Sequence, residues 1–156
     1  MGNEEKILDV LRRYGVPFVV IGGLAVNIHG FGRVTEDTDV VWLRSTQAEQ
    51  ALLRALAELD AYYIGDEIDP ATKIERTMAV TPTYIHSTHI ALLTTRLGFL
   101  DLFDFIPGFP QEDVTQLMDS AVESAGVKYA SLPWLRRMKT ASGRQKDKLD
   151  LENLPE

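Results

Sequence analysis

The stretch Phe18-Val19-Val20-Ile21-Gly22-Gly23-Leu24-Ala25-Val26-Asn27-Ile28-His29-Gly30-Phe31-Gly32-Arg33-Val34-Thr35-Glu36-Asp37-Thr38-Asp39-Val40-Val41-Trp42-Leu43 decides the reading of this chain. Residues 18–21 form a short, continuous apolar run bounded by a glycine pair, the pattern of a buried strand. Gly22 to about His29 is small and apolar in a helical rhythm, and Gly30-Phe31-Gly32 breaks it. A second strand follows over 38–43. Alternate residues of a strand share a face about 6.6–6.8 Å apart, so Asp37 and Asp39 aim their carboxylates the same way. A strand, a glycine turn, a short helix and a strand bearing D-x-D together suit a nucleoside triphosphate and a divalent metal. The glycines admit phosphate oxygens to the backbone, and a helix start offers free N–H groups and a positive dipole end.

Outward from this segment, the pattern is that of an α/β (α+β) domain. A helix is expected over 3–14, with Ile7, Leu8, Leu11 and Tyr14 on one side, Asn3 as its cap and Gly15-Val16-Pro17 as its stop. Ser45 opens a helix to about Leu59. Residues 62–77 are ambiguous, and 78–95 have strand-like Thr, Val, Tyr and Ile content. Ile90–Thr95 and Phe99–Phe105 read as a hairpin around Arg96-Leu97-Gly98. After the break Pro107-Gly108-Phe109-Pro110 come a short helix, weak strands near 119–124 and 127–131, a helix from Leu132-Pro133, and a terminal helix over Lys146–Leu154. The expected architecture is a small mixed β-sheet with helices mainly on one side, forming one domain over residues 1–156.

Asp101 lies inside the apolar run Gly98-Phe99-Leu100-Asp101-Leu102, where an unpaired charge is costly. That makes it the best third carboxylate beside Asp37 and Asp39, with Asp104, on the opposite face, as the fallback. Three such groups can hold two Mg2+ ions roughly 3.5–4 Å apart; magnesium takes carboxylates, phosphate oxygens and water. Asp37, Asp39 and Asp101 are therefore the candidate metal ligands and catalytic residues, and Gly22 and Gly23 the candidate phosphate cradle. Arg33, just before D-x-D, is a candidate for steadying the triphosphate, and Thr35 for ordering the loop. His29 reads as a helix-end packing residue, His86 and His89 as solvated turn histidines.

The segment resembles the DNA polymerase beta-like nucleotidyltransferase superfamily, whose pattern is Gly-Gly or Gly-Ser, then D-x-D or D-x-E, then a third carboxylate on a later strand. Gly22, Gly23, Asp37, Asp39 and Asp101 match it residue by residue. Gly23 stands where serine is common in the family, so a hydroxyl contact to phosphate is missing. Lys139 followed by Arg144-x-Lys146-Asp147-x-x-Asp150 resembles the helix pair of the abortive-infection and type IV toxin-like branch. The resemblance implies a minimal palm, NTP as substrate, Lys139 reaching the nucleotide phosphates, and Arg144, Lys146, Asp147 and Asp150 building the same wall. It implies transfer of a nucleoside monophosphate to an acceptor hydroxyl, on RNA or tRNA in a toxin-like enzyme with an antitoxin partner. An antibiotic or other small-molecule acceptor is the alternative, and a non-catalytic nucleotide-binding module with the same fold is the third reading. Longer relatives carry further helices that help bind the acceptor, so here recognition is expected from the core or from another subunit, which leaves room for a homodimer.

Composition narrows this. At 156 residues and 45% apolar content the chain can bury a real core. A net charge of −7 disfavours broad nucleic-acid binding, although Lys128, Arg136, Arg137, Lys139, Arg144, Lys146 and Lys148 form a local basic cluster. There is no cysteine, hence no disulfide, thiolate metal site or cysteine nucleophile. The acidic, polar start and the lack of a long apolar run point to a cytoplasmic protein without a membrane segment.

Overall fold

The computed structural model describes residues 2–32, 34–35 and 37–155, the side chains at 66, 67 and 75 apart. The chain opens with α1 (Asn3–Arg13), which buries Ile7, Leu8, Val10 and Leu11. Its cap position is Gly2 rather than Asn3, which is the first helical residue. Glu4 and Glu5 in the first turn and Arg12 and Arg13 in the last complement the helix dipole. β1 (Phe18–Ile21) is buried along its whole length. It leads into α2 (Gly22–Ile28) and then β2 (Asp37–Trp42), which pairs antiparallel with β1. α3 (Thr46–Glu58) is capped as expected, the Ser45 hydroxyl accepting from the Ala48 N–H at 3.0 Å.

The ambiguous middle is a hairpin of β3 (Tyr62–Ile68) and β4 (Glu75–Ala79). Strand content over 78–95 is only partly right, because residues 82–87 are helical: α4 (Pro82–Ser87). Thr81 accepts from the Tyr84 N–H at 3.1 Å and Pro82 occupies the first turn, so a helix-start signal overrides the local β preference. Tyr84 then stacks on Tyr63 with ring centroids 3.8 Å apart. The expected hairpin is β5 (Ile90–Thr95) with β6 (Gly98–Phe103). α5 (Val114–Asp119), β7 (Val122–Ser124), β8 (Val127–Tyr129), α6 (Leu132–Ser142) and α7 (Gln145–Asn153) complete the order. Gly143, at φ 63°, ends α6 in a left-handed turn that swings α7 back along it.

The eight strands among the described residues join one mixed sheet in the order β4-β3-β5-β6-β2-β1-β8-β7, with β2–β6 and β1–β8 parallel. Strand alternation divides the core. Val20, Val40, Trp42, Leu93, Leu100 and Leu102 meet α1 and α3 through residues such as Leu11, Leu52 and Leu56. Val19, Ile21 and Val41 face the other way, into Ala25, Val26, Leu117, Leu135 and Met138 of α2, α5 and α6. The helices thus occupy both faces of the sheet rather than mainly one, because the central strands are apolar on both sides and each side must be covered. On the second face the cover stops short of the outer strands: Tyr62, Ile90, Leu92 and Phe99 are 45–49% exposed. The site lies where the cover ends. No helix among the described residues is long and apolar enough to cross a membrane.

Candidate functional site

Asp37 and Asp39 enter from β2, and Asp101 from β6. The parallel register sets Asp39 beside Asp101 and Asp37 beside Phe99. The Asp39 and Asp101 carboxyls interact directly, each a hydrogen-bond partner for the other when one is protonated. Burial pushes the Asp101 carboxyl up to about 7, helped by the charge of Asp39, that hydrogen bond and the charge of Asp37. Burial also raises Asp39, with Asp37 adding to it, while the hydrogen bond and the charges of Lys146 and Lys139 work against the rise. Asp37 stands exposed at the rim. Two carboxylates held this close cannot both ionise cheaply, and either a proton or a cation must offset them. Among the described residues, no three carboxylate or imidazole groups converge tightly enough to hold one ion as they stand. The donor set is nevertheless all hard oxygen with surplus negative charge, which fits magnesium chemically.

Gly22 is required where it stands. Its φ is 68°, and a Cβ there would run into the Asp39 carboxylate. Gly23 is buried in the first turn of α2. The Thr35 hydroxyl donates to the Asp37 carbonyl at 3.2 Å, ordering the approach to β2. Arg33 lies outside the described residues.

The opposite wall comes from α6 and α7. Lys139 is only 5% exposed, and its ammonium sits 3.2 Å from Asp147 and 3.0 Å from Asp150. Asp147 also accepts from the Arg144 backbone N–H at 3.2 Å and from its guanidinium at 2.8 Å, which caps α7. Burial alone would raise the Asp147 carboxyl, but hydrogen bonds from Arg144 and Ser142 and the charge of Lys139 outweigh it and hold it well below the usual carboxylate range. Asp147 and Asp150 are fully buried and both face Lys139. Lys146 is exposed and acts electrostatically on both Asp39 and Asp101.

These groups line a cavity with two lobes. One, about 210 Å³, is polar and includes Gly22, Gly23, Thr35, Lys139, Arg144 and Lys146. The other, about 370 Å³, adds Phe103, Leu135, Met138, Pro107 and Gly108. Asp37 and Asp39 belong to both. The sequence reading missed the apolar lining. Phe103 was within reach of it, since it lies two residues beyond Asp101 and so on the same strand face.

Other residues fall elsewhere. Asp104 binds Arg44 at 2.8 Å and His89 at 2.9 Å, while His86 binds Glu49 at 3.0 Å. Both imidazoles are largely solvent-exposed. The His29 Nε2 lies 2.9 Å from the Ala130 carbonyl, a packing contact. The basic cluster is partly spent: Arg137 pairs with Glu112 at 3.0 Å and lies against Phe109 and Trp134, while Lys139 and Arg144 hold Asp147.

The sequence matches no family model and no curated protein. The fold, however, is that of the nucleotidyltransferases. It is similar to a Thermotoga maritima structure assigned to the nucleotidyltransferases (TM-score 0.55, 18% identity, covering 95% of this chain and 87% of that one). It is similar to the antibiotic-resistance factor ANT(2'')-Ia (TM-score 0.56, 15% identity, 98% and 75%). A third likeness is to an antigenic nucleotidyltransferase-like protein from Paracoccidioides brasiliensis (TM-score 0.52, 16% identity, 96% and 72%).

Proposed function

We propose that this chain, built on the nucleotidyltransferase fold, is a metal-dependent nucleotidyltransferase. The acceptor hydroxyl oxygen attacks the α-phosphorus of an NTP, the bond to the β-phosphate breaks, pyrophosphate leaves, and the hydroxyl gives up its proton. The observation that carries this reading is the parallel β2–β6 register, which sets Asp101 beside Asp39 at the mouth of a cavity walled by cations. Asp37, Asp39 and Asp101 would hold Mg2+, two ions in the full site. The metal would supply charge neutralisation at the triphosphate and a more acidic acceptor hydroxyl. Gly22 and Gly23 let the phosphates approach the backbone, the exposed Lys146 opposes their charge, and Lys139 contributes from behind while held by Asp147 and Asp150. Asp147 and Asp150 serve the nucleotide through Lys139, fixing its ammonium. Asp101 is placed to receive the acceptor's proton.

For the acceptor, the geometry favours a hydroxylated small molecule over RNA. β5, the strand next to Asp101, carries no charged residue, with Leu92 opposite Asp101 and Ile90 opposite Phe103. Three cations of the basic cluster are committed within the protein. An antibiotic-resistance factor shares the fold. The toxin-like reading, with an RNA acceptor and an antitoxin, rests on the Lys139 to Asp150 pattern. The test is incubation with labelled NTP and magnesium, with total RNA in one arm and an aminoglycoside panel in the other. Label moving to a small molecule supports the first acceptor, and label on RNA the second. Asp39→Ala should abolish transfer and Mg2+ binding by calorimetry while leaving the circular dichroism spectrum intact. Unchanged transfer by that variant would sink the mechanism.

A further inference from the structure

The two lobes differ in chemistry, and that difference sorts the parts of a nucleotide. Gly22, Lys139, Arg144 and Lys146 border both lobes, but the smaller has almost no apolar wall and adds Gly23, so a triphosphate belongs there. Asp37 and Asp39 border both lobes, so a reacting α-phosphate sits at the junction. The nucleoside, joined to that phosphorus through its own oxygen, then extends into the second lobe, whose Asp101 end is left to the acceptor hydroxyl. At about 370 Å³ this lobe is in the range of small-molecule sites, roughly 300–1,000 Å³, and it combines an apolar wall of Phe103, Pro107, Leu135 and Met138 with charged groups that include Asp101 and Asp147.

Its walls are firm. Phe103 stands on β6 two residues past Asp101, about 6.6–6.8 Å along the strand. Its ring meets Phe105 edge-on at 6.0 Å, and Leu135 and Met138 face the lobe from α6. The roof, Pro107 and Gly108, is pinned. The Arg137 guanidinium lies 4.4 Å from the Phe109 ring and 4.1 Å from the Trp134 ring and bonds Glu112, and a Cβ on Gly108 would stand 3.0 Å from that of Ala141. The apolar side chains of the lobe carry no group that reads a base edge. Ser142, Asp101 and Asp147 also border the lobe, Asp147 being held by Lys139 and Arg144.

We infer that the donor's base packs against Phe103 in the apolar lobe, so that the chain takes purine over pyrimidine triphosphates and distinguishes adenine from guanine poorly. The inference rests on the nucleotidyl-transfer reading above and adds the donor class to it. Contact with an aromatic ring grows with base area but is blind to the edge pattern that separates adenine from guanine. A pocket without matching hydrogen-bond groups rejects close analogues weakly.

The test is calorimetric binding of non-hydrolysable α,β-methylene analogues of ATP, GTP, CTP and UTP in magnesium buffer, with inorganic tripolyphosphate as a separate ligand. The expected result is purine affinity at least about five-fold above pyrimidine, with ATP and GTP analogues within about three-fold of each other. Phe103→Ala should weaken the purines about ten-fold and level the four, with tripolyphosphate unchanged; Phe103→Leu, which keeps the apolar volume, should fall between. Equal affinity for all four analogues in the unaltered protein, more than about ten-fold discrimination between ATP and GTP, or purine affinity untouched by both variants would overturn the inference. Binding of tripolyphosphate and all four analogues alike overturns it alone. Binding of none of them overturns the nucleotidyl-transfer reading as well.

Discussion

Replacing Lys139 by methionine tests whether the wall of the site is held by a buried charge network. The ammonium is 3.0 Å from Asp150 and 3.2 Å from Asp147, with side-chain exposures of 6%, 1% and 0% respectively. Methionine fills most of the volume, so the loss is electrostatic: two buried carboxylates lose the cation between them. Asp147 retains Arg144, but Asp150 loses its ammonium. Breaking a buried pair from one side costs about 3–5 kcal/mol. At this chain length that is a fall of about 6–20 °C in melting temperature. The sign with pH follows from Asp147. Its folded pKa lies below the unfolded value of 3.8, so its contribution is fully present above that value and is lost as pH falls through the folded pKa. In Lys139→Met the buried carboxylates, short of one cation, instead gain by protonation, so the gap to the unaltered protein should be widest near pH 7 and narrow toward pH 4. Urea unfolding followed by circular dichroism at pH 7, 5.5 and 4 measures this. Lys139→Met/Asp150→Asn, which removes one of the two buried negative charges, should recover part of the loss. A cost below about 1 kcal/mol at pH 7, or a cost that does not change with pH, would refute the reasoning.

Three further outcomes are expected. Gly22→Ala places a side chain at φ 68° and against the Asp39 carboxylate, so it should cost about 1–3 kcal/mol in urea unfolding and remove Mg2+ binding by calorimetry. Asp101 has a raised folded pKa, so in metal-free protein its contribution opposes folding increasingly as pH rises from 3.8 toward about 7. Asp101→Asn should therefore stabilise the metal-free protein at pH 8, by about 1–2 kcal/mol after discounting for the group's partial exposure, and by little at pH 4, while abolishing transfer. Arg137→Ala removes two ring contacts and the bond to Glu112, and should cost about 1–2 kcal/mol and speed proteolysis within residues 107–112.

Several elements were readable from neighbouring residues alone. Ser45 announces α3, the Arg96–Gly98 turn announces the β5–β6 hairpin, and Gly143 separates α6 from α7. Each is a short-range effect, a hydroxyl capping an N–H or a glycine accepting positive φ. α4 was not readable, because Thr81-Pro82 competes with a β-rich context and Tyr84 gains its stacking partner Tyr63 only when the β3–β4 hairpin has formed. The two-sided cover of the sheet was likewise obscure, since a four-residue apolar run such as Phe18–Ile21 does not say what lies on either side.

The site divides in the same way. By itself the sequence determined that Asp37 and Asp39 share a face, that a glycine pair opens α2, and that Asp147 and Asp150 lie about one helical turn apart on α7. These follow from strand and helix periods, which act over a few residues. Only the tertiary structure decided that Asp101 meets Asp39 rather than passing it, because a parallel register between strands some sixty residues apart is set by packing on both faces. It also decided that Lys139 is buried between two carboxylates, and that Phe103 and Met138 complete an apolar lobe. Charge pairing and cavity shape are properties of groups that the chain brings together from a distance.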